Sequence, residues 1–272
     1  MVGRVLIIAG SDSGGGAGIQ ADIKSSSALG AYASTAITAL TAQNTLGVHG
    51  VLPVPVEFIE QQINAVLRDI GADCIKTGML HDASVIETVT CALHREAGDI
   101  PVVVDPVMVA KGGAALLQKE AVSILRSRLL PRATLLTPNI PEAEALVGRE
   151  MRGEDDMEEL AKALLDLGPN AVLLKGGHMD GAVVRDILVT ENQTRCYENS
   201  RIDTLHTHGT GCSLASSVAA GIANGLPIEA AVEQAQWFLH KAIETAPKIG
   251  GGHGPINHLH TVKPNRTSGA AQ

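Results

Sequence analysis

Apolar runs and helical periodicity alternate from one end of the chain to the other. Val2–Ala9 is an apolar run ended by Gly10, the pattern of a strand buried on both faces. Ala17–Leu29 then reads as a helix, preceded by glycines and closed by Gly30. Further strands are predicted at Asp73–Thr77, Val102–Asp105, Thr134–Thr137, Ala171–Lys175 and Ile187–Thr190. Between them the spacing predicts helices over 56–70, 82–97, 114–130, 140–148 and 155–167. Two more follow, at 210–224, rich in small residues, and at 228–245, broken off by Pro247. Residues 32–45 are small and β-prone, and suit a strand or flap better than a helix. Such alternation implies βαβ units in an α/β protein, with a mostly parallel central sheet and helices on both faces. No shift in composition marks a boundary, so 1–262 is read as one domain, with a polar, frayed tail over 263–272.

Composition narrows the function. With 21 Lys+Arg against 29 Asp+Glu the net charge is −8, and only five residues are aromatic (Tyr32, Phe58, Tyr197, Trp237 and Phe238). A nucleic-acid partner is excluded, because both the basic footprint and the stacking platforms are missing. The four cysteines are scattered without a CxxC, which points to a reducing compartment. The N-terminal apolar run is too short for a signal peptide or a bilayer span, so a cytoplasmic protein with no membrane partner is expected.

Polar or glycine residues recur where the predicted strands end: Gly10-Ser11-Asp12, Thr77-Gly78-Met79, Asp105-Pro106, Thr137-Pro138-Asn139 and Lys175-Gly176-Gly177-His178. Turns favour these residues anyway. Five such ends on one rim nonetheless match the ligand crevice of an open parallel sheet. Gly16-Ala17-Gly18-Ile19-Gln20-Ala21 fits a dinucleotide fingerprint, but no acid lies between Asp22 and Glu57 to hold a ribose. Neither Lys111 nor Lys175 completes a GxxxxGK[ST] phosphate loop. The second cluster, His206-Thr207-His208-Gly209-Thr210-Gly211-Cys212, runs into the small-residue helix and forms an anion nest. Its field is expected to lower the Cys212 thiol from about 8.5 towards neutrality, making Cys212 a base, a nucleophile or only a small wall. Asn139 and Glu142 fit helix capping and equally a hydrated Mg²⁺, which needs few protein ligands. Lys175 is placed either to reach a phosphate or to end a strand in solvent. The histidines at 206–208 and 258–260 lack the carboxylate spacing of a zinc site.

Together these blocks resemble the ribokinase superfamily and, within it, the hydroxymethylpyrimidine/phosphomethylpyrimidine kinases of thiamine biosynthesis. The likeness is carried by Gly10–Asp22, Thr38–Thr45, Lys76–Leu80, Val104–Met108, Thr137–Ala143, Lys175–His178, His208–Cys212 and Gly252–Pro255, in the family's order. It implies a three-layer α/β/α sandwich and two successive ATP-dependent phosphorylations of an aminopyrimidine, first at its hydroxymethyl group and then at the resulting monophosphate. It implies that Gln43 reads the ring, whose edge is the complement of an amide. Met79 and Val107 then pack on the ring, with Gly10 and Asp22 nearby. ATP lies along Asn139, Lys175, Thr210 and the nest, with Gly209, Gly211, Cys212 and Lys175 as the catalytic group. Asp105 and Glu142 take Mg²⁺, chiefly through water, and a homodimer is expected. Most sugar kinases of the superfamily carry aspartate where Cys212 stands, which narrows the resemblance to the thiamine kinases and leaves the base role open.

Three alternatives remain at this level. A pyridoxal or pyridoxine kinase uses the same scaffold, a thiol hydrolase would pair Cys212 with His208 or His178, and a non-catalytic pyrimidine binder would keep only the ring site.

Overall fold

The structure is a computed structural model and describes residues 1–109, 113, 116–117 and 119–262. Lys111, the predicted tail over 263–272 and part of the first turn predicted for 114–130 lie outside the described residues. In chain order the elements are β1 (Arg4–Ala9), α1 (Gly18–Ala28), β2 (Tyr32–Ile37), β3 (Ala39–Asn44), β4 (Gly47–Pro53), α2 (Val56–Ala65) and β5 (Cys74–Thr77). There follow α3 (Ala83–Glu96), β6 (Val102–Val104), α4 (Lys119–Ile124), β7 (Leu135–Leu136), α5 (Ile140–Val147) and α6 (Met157–Leu165). Last come β8 (Ala171–Lys175), β9 (Val183–Thr190), β10 (Thr194–Ser200), α7 (Thr210–Ala223) and α8 (Ile228–Glu244).

The main sheet runs β10-β9-β8-β7-β6-β5-β1-β2, with β3 and β4 forming a separate two-stranded ribbon. From β2 to β8 every pairing is parallel, whereas β9 is antiparallel to both β8 and β10. Alternation along β1 explains the layering. Val5, Ile7 and Ala9 enter a core with Ile19, Leu214, Val218 and Val232, which places α1, α7 and α8 on that face. Leu6 and Ile8 enter the opposite core with Ile59, Ile86, Leu146 and Leu160, which places α2, α3, α5 and α6 on the other. The expected α/β sandwich is thus present. Val5, Leu6, Ile7 and Ile8 are fully buried, and each such side chain contributes about 1.5–3 kcal/mol. One strand therefore anchors both layers beneath the rim that begins at Gly10.

The differences from the sequence reading lie at the edges. Ile187–Thr190 is only the second half of β9, and β10 and β4 were not anticipated; all three carry charged or exposed positions that break an apolar run. Residues 32–45 divide at Thr38 into β2, an edge strand of the main sheet, and β3 of the ribbon. Thr134–Thr137 contracts to a two-residue strand, and the helix after Ile124 passes into a wider π-type turn over Leu125–Leu129.

Candidate active site

Because β1, β5, β6, β7 and β8 are parallel, their carboxyl ends reach the same rim. A cavity of about 740 Å³ opens there. It is lined by Gly10, Gln43, Met79, Val107, Asp105, Asn139, Glu142, Lys175, Gly209, Thr210, Gly211 and Cys212. Of the predicted site residues only Asp22 is absent from its lining.

At one end, Met79 closes over Gly10, so that a Cβ on Gly10 would lie 3.1 Å from the Met79 sulfur. Gln43 reaches the same end from β3. At the other end, Asn139 caps α5 by accepting from the Glu142 N–H at 2.9 Å, and Glu142 accepts from the Asn139 N–H at 2.9 Å. The capping role of this pair is therefore real, and both residues still face the cavity. Burial pushes the Glu142 carboxyl up to about 7, with Asp105 adding and Lys175 opposing. Lys175 is not an exposed strand end. Its Nζ donates to Asp105 Oδ1 at 3.1 Å with its side chain 13% exposed. Burial disfavours the Lys175 ammonium, yet Asp105 and Glu142 outweigh it and hold its pKa above the ordinary value.

Between the two ends stands the start of α7. Gly209 precedes it with φ 84°, and a Cβ there would collide with the Gly16 carbonyl oxygen. Only glycine lets the α7 start come this close to the Gly14–Gly18 turn. The N–H groups of the first turn have no partners within the helix, and the dipole adds positive potential. Gly211 faces the Lys175–Asp105 pair, since a Cβ on it would lie 3.4 Å from Lys175 Nζ.

Two expectations need correction. Cys212 is not a low-pKa thiol: burial pushes it up to about 12, with Asp22 and Asp105 adding, against Lys76 and the Gly18 N–H. Desolvation of a thiolate at the cavity floor exceeds what one helix terminus supplies. Asp22 does not line the cavity, so it cannot touch a bound ring directly. It is fully buried under the floor, where Lys76 Nζ donates to both its oxygens at 2.9 Å and Ser216 Oγ donates at 2.6 Å. Burial holds the Asp22 carboxyl above its usual range, against the pull of Lys76 and Ser216. For Lys76 burial acts downward, but Asp22, Cys212 and Asp105 carry it above normal.

Sequence reasoning assigned no role to Lys76, Asp12 or Asp186. A lysine inside the buried strand Cys74-Ile75-Lys76-Thr77 was the available signal, because a buried ammonium requires a buried partner. Asp186 accepts from the Gly176 N–H at 2.8 Å and from Gln236 Nε2 at 2.6 Å, clamping the turn after Lys175 to α8. Among the described residues, no group of three or more His, Cys, Asp or Glu is placed to hold a metal.

A three-layer sandwich whose rim brings Met79, Gln43 and Lys175 to one cavity beside a glycine-led helix start has the build of a ribokinase-like small-molecule kinase. Solved structures bear this out. The chain is similar to the Bacillus subtilis pyridoxal kinase seen as an ADP complex, with TM-score 0.87 and 34% identity over 95% of this chain and 98% of that one. Residues 12–257 match the phosphomethylpyrimidine kinase family, and the chain belongs to it. It is 48% identical to the hydroxymethylpyrimidine/phosphomethylpyrimidine kinase of Bacillus subtilis, over 94% of both chains. It is 49% identical to the thiamine biosynthesis bifunctional protein ThiED of Geobacter sulfurreducens over 94% of its own length, and spans about half (52%) of that longer relative.

Proposed function

We propose that this chain transfers the γ-phosphoryl group of ATP to the hydroxymethyl group of 4-amino-5-hydroxymethyl-2-methylpyrimidine, and then phosphorylates the monophosphate to the diphosphate. One observation carries the reading: a single cavity joins Gln43 and Met79 to Asn139 and Lys175, with the start of α7 between them. Phosphoryl transfer depends chiefly on positioning and charge stabilisation. Gln43 pairs with the aminopyrimidine edge, while Met79, Val107 and Gly10 hold its faces. The first-turn N–H groups of Gly211 and Cys212 face the transferring phosphoryl group, and Lys175 neutralises it. Asn139 and Thr210 hold the nucleotide. Asp22 acts from beneath, by fixing Lys76.

Asp105 and Glu142 fit Mg²⁺. Both are buried oxygen donors on the cavity wall, and two carboxylates suit an ion that keeps most of its waters. When bound, the ion would neutralise charge on the phosphates. A protonated Cys212 serves as a small wall beside the reacting centre, which removes the nucleophile of a thiol hydrolase.

The reading extends to a single catalytic domain over 1–262, a cytoplasmic location and a homodimer. The ribbon supports the dimer by exposing Leu40, Leu46, Val51 and Leu52. No described helix is long and apolar enough to cross a membrane. A second reading, pyridoxal kinase, is favoured by the structural likeness to an enzyme of that name. An ATP-coupled assay with the aminopyrimidine, its monophosphate and pyridoxal in parallel decides. Turnover of both pyrimidines with higher kcat/KM than pyridoxal is expected, and the reverse order overturns the proposal.

A further inference from the structure

Gln43 sits between two groups that dictate which way its amide points. Its terminal atoms lie 3.3 Å from Thr41 Oγ1 and 3.3 Å from His208 Nε2. Thr41 has one hydroxyl hydrogen and donates it to the Ser11 carbonyl oxygen at 2.8 Å. Toward Gln43, Thr41 can therefore only accept, and it requires the amide nitrogen. On the other side, His208 Nε2 lies 2.8 Å from Asp12 Oδ2. Asp12 also accepts N–H bonds from Gly14, Gly16 and Ala17 at 2.8, 3.0 and 2.8 Å. Burial alone would raise its carboxyl, but the bonds from His208 and the Ala17 and Gly14 backbone hold it below the ordinary range. Asp12 is thus a pure acceptor, and His208 Nε2 must carry the proton. That protonated nitrogen has no lone pair for an amide N–H, so the amide oxygen is the matched neighbour, sharing the N–H that Asp12 holds.

With Nε2 of Gln43 toward His208, two donors face each other. Amide oxygen and nitrogen have nearly the same shape, so donor–acceptor matching decides between the two orientations. Matching turns the oxygen toward His208 and the nitrogen toward Thr41. The imidazole cannot easily give way. It packs against Gly16, where a Cβ would collide with the ring, and its side chain is only 12% exposed.

We propose that Asp12 and His208 are positioning residues that fix the order of acceptor and donor Gln43 offers to the ring. The proposal rests on Gln43 as the ring's ligand. In the fixed orientation the amide keeps one lone pair on the His208 side and one N–H on the Thr41 side. A 4-aminopyrimidine presents an amino donor beside a ring-nitrogen acceptor, and satisfies both. A pyridoxal ring presents a hydroxyl beside a methyl-bearing carbon, and satisfies one. The pair therefore sets both the orientation of the ring and the preference for pyrimidine over pyridine.

The test uses His208→Phe, which keeps a ring against Gly16 and removes the donor. Titration calorimetry with the aminopyrimidine and steady-state kinetics with both rings are the readouts. His208→Phe should raise the aminopyrimidine Kd and KM about tenfold or more, the worth of one mispaired buried amide. The KM for ATP should hold, the pyrimidine-to-pyridoxal ratio of kcat/KM should shrink, and His208→Gln should restore most of the loss. In a Gln43→Met background, His208→Phe should cost little further. Unchanged Kd and selectivity in His208→Phe, or a full additional loss in the Gln43→Met background, overturns the proposal. A wild-type enzyme that phosphorylates neither pyrimidine fails the functional reading instead.

Discussion

Replacing Lys76 by methionine removes one partner of an ion pair whose side chains are both 0% exposed. Asp22 then keeps only the Ser216 hydroxyl. Breaking a buried pair in this way costs about 3–5 kcal/mol, because the remaining charge is desolvated and unpaired. Asp22 escapes part of that cost by taking up a proton, which raises its folded pKa further. The folded state then holds a proton that the unfolded chain releases near the ordinary aspartate value. Stability must fall as pH rises between those two values, at about 1.4 kcal/mol per pH unit. At pH 8 the expected loss is the full 3–5 kcal/mol, roughly 10 °C in Tm for a chain of this size. At pH 5 the loss is smaller. Urea unfolding of the wild type and Lys76→Met at both pH values measures it, and Asp22→Asn added to Lys76→Met should recover most of the stability at pH 8. Lys76→Met with wild-type stability at pH 8, or with equal losses at both pH values, would refute the reasoning.

Three further outcomes follow from the site. With its thiol near 12, Cys212 should react with iodoacetamide at pH 8 at least about tenfold more slowly than the exposed Cys91, since only the thiolate attacks; peptide mapping by mass spectrometry reads both, and equal rates restore the low-pKa thiol. Glu142, raised from 4.5 to about 7 when folded, destabilises the protein as pH climbs through that window. Glu142→Gln keeps an oxygen to cap the Asn139 N–H and should be more stable than wild type at pH 8, by up to about 3 kcal/mol, but not at pH 4.5; parallel unfolding curves across pH contradict this. Gly209→Ala combines a left-handed φ with a collision at Gly16 and should cost about 3 kcal/mol or more, with loss of ATP turnover; a variant with unchanged Tm and kcat argues against the close approach of the two loops.

Where the sequence was legible, a physical signal was strong and local. The apolar run ending at Gly10 and the small-residue helix after Gly209 each have one good solution, and both formed. The antiparallel edge was not legible: β9 and β10 carry Arg185, Asp186 and Glu198 among their strand positions, so neither presents an uninterrupted apolar run. The site residues converged on one cavity because parallel strands end on one rim. What spacing could not supply was depth. Asp22 and Cys212 both stand next to the glycine-rich segments that their spacing predicts, yet one lies beneath the floor and the other is desolvated at it. Charge state depends on surroundings drawn from distant segments: Lys76 and Ser216 come to Asp22 from 54 and 194 residues away.

The same depth decides which lysine can serve a nucleotide. Both site lysines are neutralised by aspartate, so neither offers a free positive charge to ATP in a chain of net charge −8. Lys76 is held by both oxygens of Asp22 at 2.9 Å with no exposure, and moving it would strand a carboxylate in the core. Lys175 makes one bond to Asp105, at 3.1 Å, and keeps 13% exposure. Asp105 loses one bond if that pair opens, where Asp22 would lose two shorter ones. Exchange of a carboxylate for a phosphate is therefore cheap at Lys175 and costly at Lys76. On the proposed function, Lys175 is therefore the lysine that meets phosphate, and Lys76 stays the fixed charge beneath Cys212.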